Sequence, residues 1–237
     1  KFKKQINVIK AGVPGTGPDF YYNFYNNEGY KYNPDIILIN FYIGNDVTNI
    51  GEMSSFSSNK ETLIEVNYFY KLKVWLRNNS KFYNFVVDRI KGIPAVKKKL
   101  NDQGIAPDVF EVYNQNPDKN LEIKWKKLEV ILEKFKKSKK KIVVVIIPSI
   151  YQIDKKSEKT LMSTRINNNY NVNYPTKRLK KLLLKMNIDF INPLNSLKKL
   201  NYKKDILYKT EGHFNSNANK VLADEIFQYL TKNSTLK

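Results

Sequence analysis

Short apolar runs alternate along this chain with longer stretches whose apolar residues recur every three or four positions. Ile6 to Ile9, broken by Asn7, predicts a short buried strand. It leads into a loop rich in glycine and proline, Ala11-Gly12-Val13-Pro14-Gly15-Thr16-Gly17-Pro18. From about Asp19, Phe20 and Phe24 share a face with Tyr21 and Tyr25 beside them, which is helical spacing. Asn33-Pro34-Asp35 is a turn signal. Ile36 to Phe41 then forms a nearly continuous apolar run, as in strands covered on both faces. Between about Val47 and Asn120 no clean period holds. The aromatic pieces there, such as Trp75 and Phe82 to Phe85, predict a partly helical insertion or lid.

Regular patterning resumes with Leu121, Trp125, Leu128, Leu132 and Phe135, the stripe of an amphipathic helix. Ile142 to Ile147 is a β-branched run closed by Pro148 and predicts a central strand. Residues 149 to 173 are polar and read as loop. Pro175 is placed to begin a helix with Leu179, Leu182, Leu183 and Met186 inward. Asp189 to Ile191 predicts a short strand. Ser216 to Leu230 predicts a last helix with Ala218, Leu222, Ile226 and Leu230 as its inner stripe. Strands alternating with helices imply a parallel sheet covered on both faces, a three-layer α/β/α sandwich in one domain over 1–237.

Composition narrows the chemistry. The 237 residues contain no cysteine and one histidine, which excludes disulfides, thiolate zinc sites, a cysteine nucleophile and histidine-rich metal clusters. No apolar run approaches the roughly 18–20 residues that span a bilayer. Lys and Arg total 42 against 22 Asp and Glu, a formal charge of +20. The excess is mostly lysine scattered through helices, so nucleic acid is disfavoured as the main ligand, while weak attraction to anionic polymers or membrane surfaces fits. The densest run, Lys134 to Lys141, falls at a predicted helix end, where cations suit the helix dipole.

In an open parallel sheet, ligands gather at the carboxyl ends of the strands. Three segments fall there or nearby: the loop 11–18, Gly44-Asn45-Asp46, and Thr210-Glu211-Gly212-His213-Phe214-Asn215. A glycine loop can aim a backbone N–H into a cleft. The Asn45 amide could donate to an oxyanion. His213 could act as general base, with the Glu211 carboxylate two residues upstream to hold its tautomer. Asp46 reads as a structural carboxylate bonded to nearby backbone N–H groups.

These segments resemble the SGNH (GDSL-type) hydrolases and esterases, in particular the branch whose histidine block reads Asp-Gly-His-Trp-Asn. Ile9-Lys10-Ala11-Gly12-Val13-Pro14-Gly15 is similar to the second family block, Gly44-Asn45-Asp46 to the third and Glu211-Gly212-His213-Phe214-Asn215 to the last. The resemblance implies a flavodoxin-like sheet and ester hydrolysis or acyl transfer without metal or cofactor. Gly15 N–H and Asn45 NH2 would form the oxyanion hole, with His213 as base and Glu211 as its orienting acid. It further implies an O-acylated (O-acetyl) carbohydrate as substrate, an envelope location and the possibility of an N-terminal membrane anchor.

Two departures stand out. Glu211 occupies a position where the branch has Asp. The first block, with its nucleophilic serine, is absent, since ten residues precede Ala11 and none is Ser. Ser54, Ser149 and Ser163 are not in that motif or position. The expectation is therefore a chain without its first strand and nucleophile, N-terminally incomplete, reduced in stability and inactive in serine-dependent hydrolysis. The competing expectation is a non-catalytic relative that binds glycans. A nucleic-acid binder is the third, and it requires lysines gathered on one face.

Overall fold

The computed structural model describes residues 6–13, 15–51, 75–76, 79–92, 110–163, 169–202, 205–208 and 213–232. The described elements are α1 (Pro18–Asn27), a 3-10 turn (Gly29–Tyr32), β1 (Ile36–Tyr42), α2 (Lys81–Gly92), a second 3-10 turn (Glu111–Tyr113) and α3 (Lys119–Lys137). They continue with β2 (Lys141–Ile147), α4 (Ile150–Ile153), α5 (Lys155–Ser163), α6 (Tyr174–Lys185), β3 (Asp189–Ile191), α7 (Leu194–Asn201) and α8 (Ser216–Lys232).

The strands form one parallel sheet in the order β1-β2-β3. Ile36 lies opposite Lys141, Tyr42 opposite Ile147, and Val143 opposite Asp189. Alternation then assigns the two faces. Ile39 and Phe41 of β1 join Ile142, Val144 and Ile146 of β2 beneath Leu128, Leu132 and Phe135 of α3 and Leu179 and Leu183 of α6. On the opposite face Val143, Val145 and Ile191 pack against Ile226 and Tyr229 of α8. The result is a mixed α/β sandwich with helices on both sides of a parallel sheet. Each fully buried Leu or Phe in these layers contributes about 1.5–3 kcal/mol.

Side-chain caps fix several helix starts. The Asp118 carboxylate accepts from Leu121 N–H at 2.7 Å at the start of α3. Asn215 Oδ1 accepts from Asn217 and Ala218 N–H at 3.0 and 3.3 Å at the start of α8. Pro18 and Pro175 occupy first-turn positions of α1 and α6, where a missing N–H costs nothing. A left-handed residue stands just before every described strand: Asn33 (φ 46°), Lys139 (φ 58°) and Asn187 (φ 52°). Each reverses the chain from the preceding helical turn into the sheet.

The structure corrects the reading of Ile6 to Ile9 as a buried strand. Residues 6–10 are exposed and form no strand, with Val8 79% exposed. Three apolar residues interrupted by Asn7 carry no ladder by themselves, and no described strand pairs with the outer edge of β1. Leu38 and Tyr42, both 38% exposed, lie where the second helical layer stops short of β1 among the described residues.

Residues 149–173, read as loop, contain α4 and α5. Their helical signal is weak because α5 is polar and buries Leu161 alone, while Asp154 starts it by accepting from Ser157 N–H at 2.7 Å. α7 is likewise not evident from the sequence. At the margins of the stretch read as an insertion, Val47 and Ile50 belong to the main core. Val112 and Tyr113 form a smaller core with Leu161 and Val172. α2 confirms helix within it, and residues 52–74 and 93–109 lie outside the described residues.

Candidate active site at the carboxyl edge of the sheet

β1 leaves the sheet at Tyr42 and its chain folds into a tight series of turns. Ile43 N–H still donates to Ile147 O at 3.0 Å, prolonging the sheet by one bond. Asp46 N–H then donates to Tyr42 O at 3.1 Å and Asn49 N–H to Asn45 O at 2.9 Å. The Thr48 hydroxyl donates to the same Asn45 carbonyl at 2.8 Å. The Asn45 backbone is thus fixed, while its half-buried side-chain amide makes no hydrogen bond among the described residues.

Asp46 anchors this turn. Its carboxylate, 3% exposed, accepts from Tyr42 N–H at 3.0 Å and from the Tyr21 hydroxyl at 3.2 Å. Burial pushes its carboxyl up to about 7, against the opposing pull of those two bonds. Tyr21 is raised in turn, first by burial and then by the neighbouring Asp46 charge. The sequence reading of Asp46 as a structural carboxylate holds.

The glycine loop packs directly onto the Asn45–Asn49 turn. A Cβ on Gly17 would lie 3.1 Å from Asn49 Cβ and 3.3 Å from both Asn49 C and Asp46 O. A side chain here would force its neighbours to give by a few tenths of an ångström, so glycine suits that approach. The contact is reinforced by Gly51 N–H donating to Asp19 at 2.8 Å and by Thr16 Oγ1 donating to Val13 O at 2.7 Å. Gly15 itself is exposed at φ 74°, with nothing within 4 Å of where a Cβ would stand. The segments carrying Gly15 and Asn45 are therefore brought together, through Gly17, Tyr21 and Asp46. The pattern Gly15-Thr16-Gly17 was the sequence signal for that approach, although Gly17 was not singled out.

His213 lies on another segment. It is exposed, and its carbonyl accepts from Tyr208 N–H at 2.9 Å. The next residue, Phe214, bridges Leu207 in antiparallel fashion. Asn215 N–H donates to Ile206 O at 2.9 Å, so this short loop is pinned before α8 begins. Phe214 and Ala218 pack with Ile150 and Ile153 of α4 and Leu197 of α7, which follow the carboxyl ends of β2 and β3. His213 thus rises from the β2 and β3 side, while Asn45 follows β1. Glu211 lies outside the described residues.

Tyrosines also collect at this edge and were not expected as a group. Tyr113 and Tyr151 meet edge to face with centroids 6.0 Å apart, and Phe110 meets Tyr151 at 5.4 Å. Burial, followed by the charges of Tyr151 and Asp46, raises Tyr42. The Tyr42 ring lies over Gly44, where a Cβ would come within 2.6 Å of it. Among the described residues no group of three His, Asp or Glu side chains could hold a metal ion. No described helix is long and apolar enough to cross a membrane. Comparison of the chain with protein-family models, curated proteins and solved structures gives no match.

Proposed function

We propose that this fold serves serine-type ester hydrolysis or acyl transfer, acting on O-acyl groups of a carbohydrate. The observation that carries the proposal is the packing of the Gly15–Gly17 loop, through Gly17, onto the Asn45–Asn49 turn, whose Asn45 amide makes no hydrogen bond among the described residues. Two donors of different kinds, one main-chain and one side-chain, then serve one edge of the sheet. A tetrahedral oxyanion could accept from both, an effect of roughly 3–4 kcal/mol per donor.

In this proposal a serine hydroxyl attacks the acyl carbonyl and His213 takes its proton. Glu211 orients the imidazole and stabilises its cation, and His213 returns the proton to the departing sugar oxygen. None of the serines in this chain stands in the expected nucleophile block. That observation favours a second reading, a glycan-binding protein without turnover.

Acetate release from an O-acetylated polysaccharide and from a short-chain aryl acetate separates the two. Both are assayed on this chain and on the longest native reading frame that contains it. The hydrolase reading expects turnover from the longer frame, abolished by His213→Ala and lowered about a hundredfold by Asn45→Ala. Turnover unchanged in the His213→Ala variant refutes the mechanism. Saturable glycan binding with no acetate release from either chain establishes the binder.

A further inference from the structure

The opposite edge of the sheet carries a different feature. The turns before the strands, residues 33–35, 138–140 and 186–188, are all short. Lysines crowd this edge: Lys134, Lys136, Lys137, Lys139 and Lys141 are exposed and Lys140 is half-buried. Lys136, Lys140 and Lys141, with Asn187 and Asp189, line a shallow pocket of about 420 Å3.

Local contacts hold these ammonium groups in place without exhausting them. Lys136 Nζ donates to Met186 O at 2.7 Å, Lys140 Nζ to Asn33 Oδ1 at 2.6 Å and Lys141 Nζ to Asp189 at 2.5 Å. An ammonium has three N–H donors, so each retains capacity for an external anion. Asp189 is the carboxylate in the pocket, and Tyr229 OH also donates to it, at 2.5 Å.

Tyr30 and Tyr32 stand at the same end, 54% and 59% exposed, on the 3-10 turn that Lys140 ties down through Asn33. Leu184, at the end of α6, is 67% exposed. Lys139 adds a further sign. Its left-handed backbone position is filled by asparagine before β1 and before β3, yet by lysine here, where that conformation is strained.

We propose that this lysine- and tyrosine-rich end docks on anionic membrane surfaces. Dispersed ammonium charges suit a diffuse negative plane, and half-exposed tyrosine rings suit the boundary between headgroups and acyl chains. Bidentate base-edge recognition in nucleic acids makes frequent use of the forked guanidinium. Arginine is scarce, four residues in the chain, and the two described, Arg89 and Arg178, are engaged elsewhere, over Phe85 and with Glu122. Docked this way, the carboxyl edge of the sheet faces away from the bilayer. The proposal does not rest on the hydrolase reading.

Co-sedimentation with phosphatidylcholine vesicles, with and without about one-third phosphatidylglycerol, tests it at near-physiological salt. The expected result is pelleting with the anionic vesicles only, released by high salt. Each lysine at the surface accounts for about a fivefold change in affinity, so Lys137→Gln/Lys139→Gln/Lys140→Gln should weaken binding about a hundredfold. A charge-matched control, Lys155→Gln/Lys156→Gln/Lys159→Gln on α5, should weaken it far less. Tyr30→Ser/Tyr32→Ser should weaken it without altering the salt response. Equal loss in both lysine triples would show that net charge alone is at work and overturn the proposal. Tighter retention on single-stranded oligonucleotide with the same lysine dependence would overturn it in favour of nucleic acid. Circular dichroism confirms that each variant is folded.

Discussion

Asp46→Asn isolates the free energy of a buried carboxylate. Asp46 is 3% exposed and held by two hydrogen bonds, yet burial dominates and its carboxyl moves from 3.8 to about 7. The folded state therefore binds a proton that the unfolded chain releases between those values. With a raised folded pKa, the stabilising contribution is complete below about pH 4 and is lost as pH rises through 7. The full loss is on the order of 4 kcal/mol, of which more than half falls between pH 5 and pH 8. An asparagine side chain can still accept from Tyr42 N–H and Tyr21 OH but does not titrate. Urea denaturation of both proteins from pH 5 to pH 8 should show the parent losing stability relative to the variant by that amount. Parallel stability curves for the two proteins would refute the reasoning.

Other substitutions probe separate parts of the molecule. Gly17→Ala places a methyl 3.1–3.3 Å from Asn49 and from the Asp46 carbonyl, mostly backbone that cannot swing away. It should cost about 1–3 kcal/mol in chemical denaturation. Lys139→Asn relieves a left-handed lysine and should raise stability by about 1 kcal/mol. Arg178 forms a forked pair with Glu122 at 2.5 and 2.6 Å and lies 4.7 Å from the centre of the Trp125 ring. Arg178→Lys loses the fork and the stacking, and thermal melts should register about 1 kcal/mol, discounted for the partial exposure of Glu122.

β2 was plain in the sequence because Ile142 to Ile146 is buried on both faces and needs no alternation, whereas the apolar run Ile36 to Phe41 overstated the cover of β1, which buries Ile39 and Phe41 on one face and leaves Leu38, Asn40 and Tyr42 exposed on the other. α3 and α6 were equally plain, since each buries one wide stripe. Ile6 to Ile9 has the same local pattern as a strand, but strand formation depends on a neighbour that four residues do not specify. α4 and α5 were hidden because they bury few side chains, and those against small satellite clusters. At the candidate site, the structure packs the Gly15 and Asn45 segments together, while Glu211 lies outside the described residues. What holds them was not legible: the Gly17 contact and the Tyr21–Asp46 bond join residues more than twenty positions apart.

The left-handed residues Asn33, Lys139 and Asn187 have a consequence for how this architecture can change. Each completes a reversal within two or three positions, leaving no slack for added length. The long excursions of the chain, residues 43–118, 148–173 and 192–215, all leave from strand carboxyl ends. Lineages descending from such a scaffold would elaborate one side by insertion while the other kept a constant outline. New specificities and the ancestral footprint would then evolve on opposite sides of the molecule, each free of the other.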